Sequence, residues 1–274
     1  MKKDLFDLTD RVAIITGGTG LLGQQHAEAI AKAGGIPVLA DIRLDNIQPG
    51  SLKWKESFGE QAFAVKVDIT QSGSVSALLK YVLDKFGRID ILINNAANNP
   101  KMEKTAEVEF SRLEHFPLRQ WESDIAVGLT GAFLCSQVIG GEMARRKRGV
   151  IVNVASDLAI IAPDQRLYRQ PGLPDDKQPV KPVTYSVVKT GLIGLTRYMA
   201  TYWADCGVRV NAISPGGVYN DQPEEFVKRL SNLIPMGRMA SVDEYQAAII
   251  YLCSDASSYM TGTNLIVDGG RSSW

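Results

Sequence analysis

Tyr185 and Lys189, four residues apart, are the side chains in this sequence best suited to acid–base chemistry. On a helix they share a face, one turn apart. A free tyrosine ionises near pH ~10, too high for a good base near neutrality. A neighbouring ammonium and a positively charged cofactor ring would both favour tyrosinate. Ser156 closes a β-branched run upstream and suits hydrogen bonding to an oxygen on which charge develops. Taken singly, each has a plain structural role: a surface lysine, a half-buried tyrosine, a strand-end serine. Near the N-terminus, however, the chain reads Thr16-Gly17-Gly18-Thr19-Gly20-Leu21-Leu22-Gly23. A dinucleotide-binding turn with a proton donor elsewhere in the chain is the equipment for hydride transfer at an alcohol or ketone.

The turn follows the apolar run Val12-Ala13-Ile14-Ile15. Gly17 permits a tight turn, Gly20 lets backbone approach a pyrophosphate, and Gly23 lets helix and strand pack closely. Thr19, Leu21 and Leu22 lie where the following helix aims its free N–H groups at phosphate. Asp41, followed by Ile42, closes the second strand, where a carboxylate meets the adenosine ribose hydroxyls. It would repel a 2′-phosphate, so NAD is expected over NADP. Arg43 is the counter-indication, and a solvated loop charge is its plainer role.

Short apolar runs alternate with longer amphipathic ones. Strands are expected at 12–16, 36–40, 62–67, 89–93, 150–154, 208–213 and 264–267, and helices at 22–33, 75–86, 120–146, 184–206 and 242–254. That alternation predicts an α/β fold: a Rossmann-like, doubly wound, mostly parallel seven-stranded sheet with helices on both faces. No linker divides the chain, so residues 1–274 are expected to form a single domain. Residues 98–118 and 163–182 interrupt the rhythm as inserts after the fourth and fifth strands. There they would border a ligand site.

Thirty Lys and Arg balance thirty Asp and Glu, so no global field draws nucleic acid or a membrane surface. The densest basic run, Arg145-Arg146-Lys147-Arg148, reads as helix C-terminal charge. No signal peptide or membrane-spanning run is read, and a cytoplasmic protein is expected. Cys135, Cys206 and Cys253 are scattered, and His26 and His115 are far apart, so no metal site is expected.

With these pieces in order, the chain resembles the short-chain dehydrogenase/reductase family, in its compact single-domain branch, over nearly its whole length. Asp68-Ile69 resembles the family's adenine-contacting pair, and Asn94-Asn95-Ala96-Ala97 its Asn-Asn-Ala-Gly. Ser156, Tyr185 and Lys189 match its catalytic Ser and Tyr-x-x-x-Lys. The segment from Arg209 through Pro215, Gly216 and Val218 resembles the stretch beside the nicotinamide. Residues 255–262 and Val267-Asp268-Gly269-Gly270 resemble its C-terminal signature. The resemblance implies that Asn95, Ala96, Ala97, Tyr185 and Lys189 contact the cofactor, with Lys189 on the nicotinamide ribose. It also implies a homodimer or homotetramer, joined through the helices at 120–146 and 184–206 and through the C-terminal region.

Four positions depart from that pattern. Leu21 stands where a Gly is usual, Ala97 replaces a Gly, and Asn220 replaces a Thr. Gly128 stands where the Asn of the proton relay is expected. The insert before Tyr185 is long and charged, which leaves two readings open: Arg166 or Arg169 grips an anionic group of the substrate, such as a phosphate, or the insert is a solvated charged loop. Asn99, Lys101, Arg112 and His115 are weaker candidates of the same kind. The insert and the Gly-rich turn resemble a bacterial subgroup linked to flagellin or surface-glycan modification. That resemblance implies a secondary alcohol or ketone on a sugar or sugar phosphate. Two alternatives stay open: an epimerase or dehydratase with retained NAD, favoured by the Gly spacing, and a non-catalytic dinucleotide-binding regulator, favoured by Gly128.

Overall fold

The computed structural model describes residues 4–45, 47–60, 62–98 and 111–274. Seven strands form one parallel sheet: β1 (Val12–Thr16), β2 (Ile36–Asp41), β3 (Phe63–Lys66), β4 (Ile91–Asn94), β5 (Gly149–Val154), β6 (Val208–Pro215) and β7 (Asn264–Val267). Their order is β3-β2-β1-β4-β5-β6-β7. The chain winds one way to β3 and then returns past β1 to β4. The reversal opens a crevice at the carboxyl ends of β1 and β4.

Side chains alternate across the sheet, as strand geometry requires. Ala13, Ile15, Ile91, Ile93, Val150 and Val152 face one buried cluster. Val12, Ile14, Leu92, Ile151, Val208 and Val210 face the other. Helices α1 (Leu21–Lys32), α2 (Leu52–Phe58) and α7 (Gln246–Cys253) cover the first face. Helices α3 (Ser72–Phe86), α4 (Leu118–Arg145) and α5 (Val183–Tyr202) cover the second. Helix α6 (Glu224–Ser231) stands apart, over a small cluster of Leu167, Leu230, Ile234 and Met239.

Helix α4 corrects one expectation. At 28 residues, it is long and apolar enough, by length and composition alone, to cross a membrane. Its apolar positions Cys135, Ile139 and Met143 are instead buried against the sheet. Two π-turns, Ala126–Thr130 and Ser136–Gly140, interrupt it. The basic run at its end is tied locally: Arg145 and Arg146 both donate to Glu142, and Arg146 also reaches the Gly87 carbonyl.

Sequence periodicity missed α2 and α6, of seven and eight residues. Helix α2 is short for an amphipathic period, whereas α6 is clearly amphipathic, with Leu230 its buried position. The fourth strand begins two residues later than expected, although the Asp90 N–H still donates to the Val12 carbonyl and its carbonyl accepts from the Val150 N–H.

Candidate functional site

A cleft of about 790 Å³ runs along the carboxyl edge of the sheet. Its floor is the Gly-rich turn. Gly17 has φ +60°, and a Cβ there would lie 2.9 Å from the Ala96 Cα, so only glycine lets the turn sit on β4. A Cβ on Gly23 would come within 2.1 Å of the Gly17 carbonyl oxygen, which is how α1 starts directly behind the turn. Asn95 locks the turn from the neighbouring strand, its Nδ2 donating to the carbonyls of Thr16 (3.0 Å) and Gly17 (3.1 Å). Among the described residues no side chain caps the first turn of α1, and that turn begins at the cleft wall with Gly20, Leu21 and Leu22.

Asp41 ends β2 beside the turn. One carboxylate oxygen accepts from the Thr19 N–H (3.1 Å) and hydroxyl (2.8 Å), the other from the Arg43 N–H (3.2 Å). The carboxylate is therefore fixed at the cleft wall. Asp68 is held in the same way, accepting from the Thr70 N–H (2.9 Å) and hydroxyl (2.7 Å). Gly17, Thr19, Gly20, Leu21, Leu22, Asp41, Ile42, Asp68, Ile69 and Asn95 to Ala97 all line the cleft, as do Pro215, Gly216 and Val218. Gly23 does not line it and acts through packing. An uncapped helix start, a glycine turn and two fixed carboxylates at successive strand ends fit a dinucleotide.

At the other end of the cleft stand Ser156, Tyr185 and Lys189. Ser156 follows β5, which carries it to the carboxyl edge. Helix α5 presents Tyr185 and Lys189 from its first two turns. Lys189 is buried, its Nζ donating to the Val154 carbonyl at 2.7 Å and lying 5.8 Å from the Tyr185 ring centre. Burial, and then repulsion from Lys181, pull its ammonium down to about 8. Burial raises the Tyr185 hydroxyl above the usual tyrosine range. The Ser156 hydroxyl opposes that shift, and the charge of Asp157 adds to it. In the protein alone Tyr185 is thus held protonated; tyrosinate needs further positive charge beside it.

Ser156 is itself held. Its hydroxyl donates to Asp157 Oδ1 (2.8 Å), which also accepts from the Leu158 N–H (2.8 Å). The other carboxylate oxygen takes Arg271 Nη1 at 2.7 Å. Both charged side chains are buried, at 4% and 7% exposure. Losing one partner of such a pair costs about 3–5 kcal/mol. Behind β4 and β5, Asn94 donates to Asn153 (2.9 Å) and to Ser136 (3.0 Å), and Asn153 donates to Thr196 (2.7 Å), tying both strands to α4 and α5.

Arg166 and Arg169 do not reach the cleft. Arg166 forks onto Asp164 with its side chain 81% exposed, and Arg169 pairs with Asp175 at 3.0 Å. The short turn Gln165–Tyr168 instead points Leu167 and Tyr168 inward. Among the described residues, the cations on the cleft at this end, besides Lys189, are Lys181 and Arg271. Lys181 Nζ sits 3.8 Å from the Tyr185 ring centre. Its spacing of four from Tyr185 was a readable signal. Arg271 had none, being 114 residues from its partner. Arg112 donates to the Asp175 carbonyl, and His115 is exposed; neither lines the cleft. Asn99 and Lys101 lie outside the described residues.

Gly128 lies on α4 with its Cα against α5. A Cβ there would meet Val188 Cγ1 at 2.6 Å. Helix packing therefore occupies the space that an Asn side chain would need. Arg209 bridges β6 to the end of α7, donating to the carbonyls of Leu252 (3.2 Å) and Ser254 (2.9 Å).

The glycine turn, the sheet order and the serine–tyrosine–lysine cluster define a nicotinamide-dependent oxidoreductase of the Rossmann type. Residues 11–167 match the short chain dehydrogenase family, and residues 177–272 match the enoyl-(acyl carrier protein) reductase family description. The chain belongs to the short-chain dehydrogenase/reductase family. It is 32% identical to an NADP-dependent mannitol dehydrogenase of Alternaria alternata, over 98% of this chain and 94% of that protein. It is also 32% identical to an NAD-dependent glycerol dehydrogenase of Listeria innocua, over 97% and 95%. A solved gluconate 5-dehydrogenase from Burkholderia cenocepacia, in complex with NADP and tartrate, superposes with a TM-score of 0.84 at 27% identity, covering 99% of this chain and 98% of that one.

Proposed function

We propose that this protein is an NAD-dependent dehydrogenase that interconverts a secondary alcohol and a ketone on a small polyhydroxylated substrate, a polyol, sugar or sugar derivative. The observation that carries this reading is the placement of Ser156, Tyr185 and Lys189 at one end of a cleft whose other end is the glycine turn and Asp41. The names of similar proteins, which act on mannitol and glycerol, support the substrate class. A place in surface-glycan synthesis rests on the resemblance of the insert and the turn alone.

The nicotinamide ring, when bound, accepts or supplies the hydride. Every other part falls to the chain. The N–H groups at the start of α1 and the Gly17–Gly20 backbone hold the pyrophosphate. Asp41 takes the adenosine ribose hydroxyls, and its fixed negative charge disfavours a 2′-phosphate. Lys189 holds the nicotinamide ribose, and its ammonium draws the Tyr185 hydroxyl down from the raised value it has in the protein alone. Ser156 binds the substrate oxygen by turning its hydroxyl proton from Asp157 towards it. Tyr185 removes the hydroxyl proton as the carbon loses hydride, and returns it in reduction.

Fluorescence titration with NADH and NADPH tests the cofactor assignment. NADH is expected to bind at least about ten-fold more tightly, and Asp41→Ala to narrow the gap by relieving repulsion. Equal or tighter NADPH binding by the wild type would contradict it.

We also propose a homo-oligomer built on α4 and α5. Its support is an outward stripe on α5, with Val187, Tyr198 and Tyr202 exposed, and Phe133 exposed on α4. Tyr198 and Tyr202 stack at 5.8 Å, and a Cβ on Gly194 would meet open space, which leaves room for another helix to approach.

A further inference from the structure

Arg271 has no role in the scheme above, yet it is aimed into the reaction end of the cleft. It belongs to the terminal turn Arg271–Ser273, which Asp268 fixes by accepting from the Gly270 N–H (2.9 Å) and the Ser272 N–H (2.8 Å). Trp274 anchors the end of the chain by donating to the Leu233 carbonyl at 3.2 Å. The guanidinium is thus driven inward, to 7% exposure.

A guanidinium carries five N–H donors. Among the described residues, the Arg271 side chain makes one hydrogen bond, to Asp157. None of its nitrogens is among the sealed, partnerless atoms, and the residue lines the cleft. Its remaining donors therefore open onto the cleft. Donors that face the cleft can pass from solvent to an anionic ligand without breaking a contact within the protein. Asp157 cannot turn to serve them, because it already accepts from Ser156, Leu158 and Arg271. Asp164, the other nearby carboxylate, is engaged by Arg166. Lys181, against the Tyr185 ring, adds a second positive charge to the same space.

We propose that Arg271 binds an anionic group of the substrate, a carboxylate or a phosphate, close to the carbon that reacts. The spacing follows from Asp157: Ser156 and Arg271 sit on the two oxygens of one carboxylate, so the anion lies only a few bonds from the oxygen bound by Ser156. The pairing with Asp157 holds one edge of the guanidinium and presents the rest, a pre-organised fork suited to either anion. The substrate is then a sugar acid or a sugar phosphate rather than a neutral polyol. This rests on the dehydrogenase reading of the same site.

The test compares kcat/KM with NAD for three arms: D-gluconate, D-glucose 6-phosphate and neutral D-mannitol, each with related compounds of its class. Wild-type protein is measured beside Arg271→Lys and the double variant Arg271→Gln/Asp157→Asn, which replaces the buried ion pair with neutral partners of similar size. NADH titration checks that the cofactor end of each variant is intact. The expected result is a preference of about ten-fold or more for one anionic arm in the wild type. In the double variant that preference should collapse through KM. The better anionic arm says whether the group is carboxylate or phosphate. A neutral polyol preferred by the wild type, or a preference unchanged in the double variant, overturns the anion site while leaving the dehydrogenase reading intact. No turnover in any arm, with NADH still bound, overturns the dehydrogenase reading and this inference with it.

Discussion

At the scale of residues, the proposed chemistry turns on two groups whose ionisation the fold displaces. Tyr185 is pushed up by burial and Lys189 is pulled down to about 8 by burial and by Lys181. The lysine is the group that titrates in a useful range. Below about 8 it is an ammonium, available to a ribose and attractive to an anionic dinucleotide; above that value it is neutral. NADH binding is therefore expected to weaken as pH rises through about 8, and this dependence should vanish in Lys189→Met. Titrations from pH 6.5 to 9.5 check it. A wild-type affinity flat across that range would show that the lysine does not act on the cofactor. Tyr185 and Lys189 were legible because their spacing is local. The partners of Ser156 were not: Asp157 is adjacent, but its counter-charge comes from the far end of the chain, and no local pattern encodes that meeting.

At the scale of elements, two helices carry testable strain. On α1, His26 is fully buried, and among the described residues neither ring nitrogen has a hydrogen-bond partner. Desolvation lowers it to about 3 from a usual 6.5. The unfolded chain takes up this proton as pH falls through 6.5 while the folded protein does not. Stability is therefore lost progressively on acidification, by about 2 kcal/mol at pH 5 from this group. His26→Leu should remove that component and stay within about 1 kcal/mol of wild type at pH 7, since no hydrogen bond is broken. Urea unfolding at pH 7 and pH 5 measures both; an unchanged acid sensitivity in the variant would contradict the burial account. Between α4 and α5, Gly128 lies against Val188. Gly128→Asn, although it introduces the residue usual in the family, is expected to cost about 1–3 kcal/mol by overpacking and to leave kcat no higher. A variant that melts like wild type and turns over faster would show that the space is there after all.

At the scale of the whole molecule, the strand–helix alternation foretold the seven-stranded parallel sheet, because strands covered on both faces read as continuous apolar runs. What it could not convey was which charged loop residues face inward. Arg166 and Arg169 sit in the right insert, but the turn at Gln165–Tyr168 points Leu167 and Tyr168 into the cleft and leaves both arginines outside. Loop orientation follows from tertiary packing on α6, where Tyr168 meets Phe226 with ring centres 5.7 Å apart. The exposed stripe of Val187, Tyr198 and Tyr202 also belongs to this scale. Sedimentation velocity is expected to show a dimer or tetramer, and Tyr198→Glu/Tyr202→Glu to shift it towards monomer. A monomeric wild type at micromolar concentration would contradict that assembly.

Ser156, Tyr185 and Lys189 are proposed to carry out hydride-coupled proton transfer beside a bound NAD. The most direct test is substrate-dependent reduction of NAD, followed by its absorbance, in wild type and Tyr185→Phe, with NADH affinity measured in parallel. The account predicts turnover of a polyol, sugar acid or sugar phosphate by the wild type. It also predicts a loss of about 100-fold or more in kcat for Tyr185→Phe, with NADH affinity within about two-fold of wild type. Comparable kcat in the two proteins would contradict it.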